Sequence, residues 1–406
     1  MVSVGFVLNQ PSHGLGASIR PWQLIQNVAA LGVETHVFTD FREDREYWWS
    51  KGVAVHTFPS MLARLRIQEP LLRFGYMISR SKTMSRVFFN RLSLDRLSRQ
   101  LANEVLSFGP LVRNIDLFQG EQEIASIACL YLRVSLRRPV ISDMHGLLVE
   151  ELLHSGRARR GDIAYRSARS VTRRILSESD AVIVVSEEMR EYLSSAFTVH
   201  RRKLVVIGNA ASPMSISRVQ SEKPKRVVYA GSLEFWENVD LFIKSIPLVT
   251  KRIPYAQFFV IGEGSEKRRL MSMARRIGAR VTFLNTIPRK RLFDFLKDCD
   301  VGVVPSTTDI TRTTASPIKV FDYMSMGLPL VCVRVGAWSR IIEENRSGLV
   351  TYADPESFAE AIVWLLEHPD KLSMYGLNGK EAVAKEHNWK EKAKMLVRTY
   401  ETLSST

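Results

Sequence analysis

A histidine at the end of a predicted buried strand is the first residue whose position suggests chemistry. His145 stands in the segment ISDMHGLL, directly after an apolar run and before Gly146. An imidazole at the edge of a sheet can donate to a substrate hydroxyl or stabilise charge that develops during a reaction. Asp143 precedes it by two residues and would either orient the ring or cap the turn. We therefore take His145 as a candidate catalytic residue, the alternative being an ordinary loop histidine.

A lysine and an aspartate three residues apart form a second candidate site. Lys319 and Asp322 follow Ser316 and Pro317, and proline is a favoured first-turn residue of a helix. Backbone N–H groups and the helix dipole favour an anion at such a start, and Lys319 would add a full positive charge for a diphosphate. Residues at i and i+3 lie on the same side of a helix, so Asp322 could accept hydrogen bonds from ligand hydroxyl groups nearby. The alternative for both residues is an exposed helix surface.

Two glycine pairs follow predicted strands. Gly14 and Gly16 flank Leu15 and open a helix, while Gly262 and Gly264 flank Glu263. A dinucleotide-binding fingerprint requires a third glycine, which neither segment has, so each pair by itself predicts only a tight turn. The incomplete match disfavours a nicotinamide-dependent dehydrogenase.

The elements that would position these residues recur in both halves of the chain. Each half has apolar runs typical of buried strands, separated by helices whose apolar residues recur near 3.6-residue spacing. The clearest strand segments are VSVGFVL (2–8), VETHVFT (33–39), RVVYAGS (226–232), AQFFVIGEG (256–264), RVTFLN (280–285), VGVVPS (301–306) and LPLVCVR (328–334). Alternation of strand and helix predicts an α/β fold with two Rossmann-like, doubly wound parallel sheets.

The length of 406 residues fits two domains. We predict a first domain over 1–211, a polar linker over 212–225 and a second domain over 226–384. A C-terminal helix over about 385–406 is expected to pack back on the first domain.

The formal net charge of +15 indicates an anionic partner. Nucleic acid is disfavoured because the sequence has no zinc-finger spacing and no aromatic RNA-binding signature. Arginines alternate with leucines and phenylalanines over 61–108, which predicts basic amphipathic helices that bind an anionic membrane surface. The alternative is a pair of ordinary helices that cover the first sheet. A second group, Arg157, Arg159 and Arg160, is a candidate site for an acceptor phosphate.

No metal or cofactor is expected. The three cysteines have neither disulfide nor metal-ligand spacing, and Asp298-Cys299-Asp300 ends a predicted helix instead of following a strand. The sequence also lacks a signal peptide and an apolar run of membrane-spanning length. These features predict a cytoplasmic protein, attached at most peripherally to the inner face of the membrane.

The order of short motifs resembles the GT-B glycosyltransferases, closest to the retaining family 4. The motifs that carry the resemblance are YAGSLEFWENVDLFIKSI (229–246), FVIGEG (259–264), VGVVPS (301–306) and SPIKVFDYMSMGLPLVC (316–332). The resemblance implies two Rossmann-like domains that face each other across a cleft. It further implies sugar transfer from a nucleotide-sugar, by analogy a UDP-sugar, to a glycan or lipid-linked acceptor in cell-surface polysaccharide, glycolipid or protein-glycan assembly.

The resemblance also assigns binding residues. Those expected to contact the donor are Gly14, Gly16, Gly231, Ser232, Gly262, Gly264, Ser316, Lys319 and Asp322, with Asp322 at the ribose. His145 is expected near the transferred sugar, and Arg20 joins the acceptor-binding arginines.

Two departures from the family pattern concern the charges around the donor. Such enzymes commonly hold the diphosphate with Arg and Lys in a "GRL…KG" segment, where this chain has Ser232 and Glu237. They also commonly carry two glutamates, where this chain has Thr314 and Asp322. We interpret the losses as the trait of a subgroup with a "PIK…FEYMA" signature, which leaves a non-catalytic, nucleotide-binding or partner-binding subunit as the alternative.

Overall fold

The computed structural model describes residues 2–9, 18–41, 43–59, 91–215 and 225–405. They form two compact units, one of Met1–Gly208 with Lys392–Thr406 and the other of Asn209–Glu391. Gly14 and Gly16, most of the predicted linker, and residues 61–90 of the basic segment lie outside the described residues.

The first unit contains a sheet of seven parallel strands in the order β3-β2-β1-β4-β5-β6-β7. The strands are β1 Ser3–Leu8, β2 Glu34–Thr39, β3 Val53–Thr57, β4 Leu117–Glu121, β5 Val140–Met144, β6 Ala181–Val184 and β7 Leu204–Val206. Most residues of these strands are buried, as expected for parallel strands with helices on both faces.

Helices connect these strands. They are α1 Ile19–Ala30, α2 Arg45–Ser50, α3 Arg91–Leu106, α4 Pro110–Arg113, α5 Gln122–Leu136, α6 Leu148–His154, α7 Ile163–Glu178 and α8 Glu187–Phe197. Several begin at side chains that accept from the first turn, as Asp162 does from the Tyr165 N–H and Ser186 from the Met189 N–H.

The second unit contains a sheet of six parallel strands in the order β10-β9-β8-β11-β12-β13. The strands are β8 Arg226–Ala230, β9 Gln257–Ile261, β10 Thr282–Leu284, β11 Val301–Val304, β12 Leu330–Val333 and β13 Gly348–Thr351. The helices are α9 Val239–Arg252, α10 Lys267–Arg276, α11 Arg289–Lys297, α12 Ile310–Thr313, α13 Ile318–Ser325, α14 Gly336–Glu344, α15 Pro355–Glu367 and α16 Pro369–Lys385. The predicted α/β class with two Rossmann-like sheets is confirmed.

The last helix, α17 Trp389–Ser404, begins in the second unit and continues into the first. Its Tyr400 is fully buried and contacts Phe6 of β1 edge to face, with ring centroids 6.4 Å apart. This helix therefore contributes to the core of the first unit.

In each sheet, the first three strands along the chain extend to one side and the later strands extend to the other side. The two series meet at one point, where the strand order reverses. In the first unit this point lies between β1 and β4, and in the second between β8 and β11. Ligands of open parallel α/β sheets bind outside the carboxyl ends of the strands at such points. The residues that follow these strands are therefore the first candidates for function.

No helix in the described ranges combines the length and apolar character needed to cross a bilayer.

Candidate active site

His145 lies just beyond β5 and is held by two carboxylates from the ends of neighbouring strands. Glu121 ends β4, and Asp143 is its register partner in β5. The Nε2 atom of His145 is 3.0 Å from Glu121 Oε2 and 3.4 Å from Asp143 Oδ1. Because both carboxylates have fully buried side chains, this histidine is not an ordinary exposed loop residue.

The two carboxylates determine the charge of the ring. Burial opposes the charged form of His145, but Asp143 and Glu121 outweigh it and raise the pKa to about 9. Burial also opposes ionisation of Asp143, yet Arg20 and His145 hold its pKa below the usual range. Burial and the neighbouring Asp143 raise the pKa of Glu121. His145 is therefore an imidazolium at neutral pH.

Arg20 completes this cluster from α1. Its guanidinium is 1% exposed, and its Nη2 is 3.1 Å from Asp143 Oδ2. The predicted acceptor residue Arg20 is thus brought to the histidine cluster, but as a buried partner of Asp143. Arg157, Arg159 and Arg160 are instead exposed, in the loop between α6 and α7.

A second layer of hydrogen bonds supports Glu121. Gln119 Nε2 donates to Glu121 Oε1 at 2.7 Å, and the Tyr400 hydroxyl donates to Gln119 Oε1 at 2.6 Å. A chain of polar contacts therefore runs from α17 to His145. The sequence analysis missed Glu121, Gln119 and Tyr400. Gln119 and Glu121 could have been recognised in the sequence, because two polar side chains within the short strand segment LFQGE are unusual for a buried strand.

One ring nitrogen of the histidine is not used by this network. His145 Nδ1 is buried and has no hydrogen-bond partner within the described part of the chain. The ligand atoms of Glu121, Asp143 and His145 lie within 4.8 Å of one another, as metal ligands would. Arg20 already supplies a positive charge to Asp143, so these contacts satisfy the carboxylate without a metal ion.

Lys319 of α13 lies in a second ion cluster, at the carboxyl end of β8. Its Nζ atom is 2.5 Å from Glu237 Oε2 and 3.0 Å from the Tyr229 hydroxyl, and it lies 4.5 Å from the centre of the Tyr229 ring. A Cβ atom on Gly231 would approach Lys319 Nζ to 2.5 Å, so a side chain at this position would displace the lysine. Lys319 is 14% exposed and is not the solvated surface lysine of the alternative interpretation.

Arg312 of α12 contributes a second cation to the same carboxylate. Its Nη1 is 3.7 Å from Glu237 Oε1, and its Nε donates to Ser306 Oγ at 3.1 Å. Burial opposes ionisation of Glu237, but Lys319 and Arg312 hold its pKa below the usual range. Burial and the nearby Arg312 lower the pKa of Lys319, whereas Glu237 opposes that change. Two cations thus share one buried carboxylate.

The glycines of the predicted donor loops bring two backbones together. A Cβ on Gly262 would lie 1.9 Å from the Gly231 oxygen, and one on Gly264 would lie 2.3 Å from the Leu233 oxygen. The Leu233 N–H donates to the Glu263 oxygen at 2.8 Å across the same contact. Ser232 Oγ, which follows Gly231, donates to Glu237 Oε1 at 3.3 Å.

Ser316 and Asp322 have separate partners. The Asn209 N–H donates to Ser316 Oγ at 3.0 Å. Asp322 is paired with both terminal nitrogens of Arg289, with Nη1 2.9 Å from Oδ2. Burial raises the pKa of Asp322, and Arg289 opposes that change. Lys319 and Asp322 are both largely buried, so the alternative of an exposed helix surface does not hold.

Comparison with known proteins agrees with this architecture. Residues 16–213 match the family model described as "Glycosyltransferase Family 4", and residues 224–368 match the model described as "Glycosyl transferases group 1". An uncharacterized glycosyltransferase of Methanocaldococcus jannaschii is 26% identical in an alignment of 240 residues that covers 55% of this chain and 60% of the relative. The alignment therefore spans less than two thirds of that relative.

Solved structures share the fold at low identity. Sucrose-phosphate synthase from Thermosynechococcus elongatus superposes with a TM-score of 0.71 at 19% identity, over 100% of both chains. HepE of Anabaena, in complex with UDP and glucose, superposes with a TM-score of 0.70 at 17% identity, again over 100% of both chains. With a family 4 domain followed by a group 1 domain and two Rossmann-like sheets, the chain belongs to the GT-B glycosyltransferases.

Proposed function

We propose that the protein is a retaining glycosyltransferase that moves a sugar from a UDP-sugar to a glycan or lipid-linked acceptor. The observation that carries the proposal is the presence of a buried ion cluster at the carboxyl ends of the strands beside the reversal point of each sheet. The binding of UDP and glucose by Anabaena HepE favours a uridine nucleotide. The acceptor would belong to cell-surface polysaccharide, glycolipid or protein-glycan assembly.

Each unit has a separate role in this proposal. The second unit binds the donor, with Lys319 at the diphosphate and Asp322 near the ribose. The first unit supplies His145, whose imidazolium can donate to a hydroxyl of the donor sugar or stabilise charge during transfer. Gly14 and Gly16 stay predictions for donor contacts, and Arg157, Arg159 and Arg160 stay predictions for an acceptor phosphate.

A panel of nucleotide-sugars tests the function directly. We expect one uridine nucleotide-sugar to raise the melting temperature and to release its nucleotide in the presence of acceptor. A panel in which no nucleotide-sugar either stabilises the protein or is consumed would contradict the proposal. EDTA should leave transfer nearly intact, since no residue is assigned as a metal ligand.

Attachment to an anionic membrane is proposed from the basic segment 61–108. Of that segment the structure describes helix α3, where Arg99 has a 63% exposed side chain. Vesicles with anionic lipid should bind the protein, and added salt should weaken the attraction by screening. Equal binding to neutral vesicles would remove the electrostatic explanation.

The alternative of a non-catalytic subunit rests on Ser232 and Glu237, which replace the cations common in related enzymes. A protein that is stabilised by a nucleotide-sugar but never releases its nucleotide, whatever acceptor is offered, would support this alternative.

A further inference from the structure

A buried arginine in the second unit has an unused hydrogen-bonding edge. Arg312 is 9% exposed, and its Nη2 atom is buried without a hydrogen-bond partner in the ranges that the structure describes. A guanidinium carries five N–H donors, and leaving one end of it unpaired in a buried position costs free energy. A charged donor in this state indicates a partner that binds from outside the chain.

The position of Arg312 indicates where that partner would bind. Its Nε is fixed by Ser306, two residues beyond the end of β11, and its Nη1 faces Glu237, which follows β8. These two strands are neighbours and flank the point where the order of the second sheet reverses. Arg312 therefore lies where an open parallel sheet binds its ligand.

The charge around Arg312 indicates what kind of partner it is. Glu237 needs one cation for neutralisation, and Lys319 supplies it at 2.5 Å. Arg312 is farther away, at 3.7 Å, so its charge is in excess of what the carboxylate requires. Tyr229 and Ser306 add only neutral hydroxyls. The cluster is thus a cationic site that an anion would neutralise.

We propose that Arg312, through its free Nη2 edge, binds the diphosphate of the nucleotide donor together with Lys319. This inference rests on the function proposed above. It assigns a residue that contacts the nucleotide donor and lies outside the segment around Ser232. Glu237 holds both cations in position while no donor is bound. A guanidinium suits this role because it offers two parallel N–H groups to phosphate oxygens, and it would stabilise the charge of the leaving nucleotide.

The test compares UDP with uridine by titration calorimetry on the full chain. Arg312→Gln keeps a hydrogen-bond donor for Ser306 but removes the charge. Since a hydrogen bond to a charged group is worth roughly 1.5–3 kcal/mol, UDP affinity should fall about 10- to 150-fold. Uridine affinity should stay unchanged, because the nucleoside has no phosphate.

Arg252→Gln is the matched control. Arg252 ends α9 and is followed by the loop that leads into β9, so it lies toward the amino end of the sheet, where it pairs with Glu367 at 3.2 Å. This variant loses an arginine of the same unit and should bind UDP as the wild type does.

Glu237→Gln separates a binding role from a structural one. Removing the carboxylate leaves two buried cations without a counter-ion, so the melting temperature without ligand should fall. Those cations then gain more from an incoming phosphate, so UDP should bind more tightly and raise the melting temperature more than in the wild type.

Three outcomes decide the matter. Lower UDP affinity in Arg312→Gln, with uridine and Arg252→Gln unaffected, supports the inference. Wild-type UDP affinity in a folded Arg312→Gln protein overturns it and leaves the proposed function standing. If the wild type binds no nucleoside diphosphate of any base, the proposed function fails and the inference fails with it.

Discussion

The two ion clusters occupy equivalent places in similar sheets but differ in charge balance. In the first unit, Arg20 pairs with Asp143 and His145 with Glu121, so each cation has a carboxylate partner. In the second unit, Glu237 is the one ion-pair partner of Arg312 and Lys319 within the ranges that the structure describes. The cluster beside the point where the strand order reverses therefore has matched charges in the first unit and an excess of positive charge in the second.

The difference separates two kinds of chemistry. Two buried carboxylates stabilise the second proton of an imidazole. Both ring nitrogens of His145 then carry hydrogen, so Nδ1 can donate to a reacting group while Nε2 faces the carboxylates. Two cations around one carboxylate retain the capacity to bind an anion. The comparison predicts that substitutions in the first cluster change transfer and its pH dependence, whereas substitutions in the second change phosphate affinity.

Replacing His145 by Ala should have the largest effect. Positioned acid–base groups contribute about 10²- to 10⁴-fold to rate, so transfer should fall within that range. UDP affinity should remain at the wild-type level, because His145 belongs to the first unit. Rates of nucleotide release and calorimetric titration of the same preparation measure both quantities. Unchanged transfer in the variant would remove His145 from the site.

Replacing Lys319 by Ala should reduce UDP affinity about 10- to 150-fold, since a charge-assisted hydrogen bond is lost. Uridine affinity should change little. The variant also leaves Glu237 without its closer cation, and breaking a buried ion pair costs roughly 3–5 kcal/mol of stability. The residual Arg312 contact at 3.7 Å should keep the loss near the lower end of that range.

A double variant distinguishes the two effects of the lysine. Lys319→Met combined with Glu237→Gln removes both charges of the pair, so the melting temperature should recover. UDP affinity should stay below that of the Glu237→Gln single variant, which keeps both cations. Equal UDP affinity in the single and the double variant would mean that Lys319 acts only as the partner of Glu237.

Replacing Glu121 by Gln should change the pH dependence of the first cluster. The folded-state pKa of His145, about 9, is above its unfolded value of 6.5. Its charge therefore stabilises the fold fully below about pH 6.5, and this contribution is lost as pH rises through about 9. Loss of one charged hydrogen-bond partner, worth roughly 1.5–3 kcal/mol, should lower the pKa by about 1–2 units.

Two measurements check this shift. The alkaline limb of the pH–rate profile should move to lower pH in Glu121→Gln, and so should the NMR titration of the His145 ring. A titration midpoint equal to that of the wild type would show that Asp143 and burial alone set the charge.

The sequence predicted where strands lie along the chain better than it predicted which distant residues contact each other. Local signals located the strands within a few residues, and the strand predicted over 301–306 begins at the same residue as β11 Val301–Val304. Predicted strand 256–264 ends earlier, at Ile261, because Gly262 adopts a φ of 149° and leaves the extended conformation. Apolar spacing and glycines are local properties, so they could be recognised in the sequence alone.

The partners of the candidate residues could not be predicted in the same way. Arg312 reaches Glu237 across 75 positions of sequence, and Tyr400 reaches Gln119 across 281. No spacing rule connects residues so far apart, because only the strand order brings them together. His145 and Lys319 could be nominated from their local context, whereas the charge balance around them depends on the folded structure.

The smallest expected effect is that of Tyr400→Phe, which tests how far the first cluster extends. The substitution keeps the ring that contacts Phe6 and removes the hydroxyl that donates to Gln119 at 2.6 Å. Gln119 then loses a buried donor, so stability should fall by about 1 kcal/mol. Its amide would hold Glu121 less firmly, and we expect a loss of transfer below about tenfold with a small shift of the alkaline limb to lower pH.

Tyr192→Phe is the control for this variant, because its hydroxyl also donates to a carboxylate of the first unit, that of Glu150. It should leave the pH–rate profile unchanged. If Tyr400→Phe lowers the melting temperature but leaves the profile where it is, Tyr400 only supports the core, and the cluster ends at Glu121. If the profile moves in Tyr400→Phe and not in Tyr192→Phe, the C-terminal helix helps to set the proton affinity of His145 through Gln119 and Glu121.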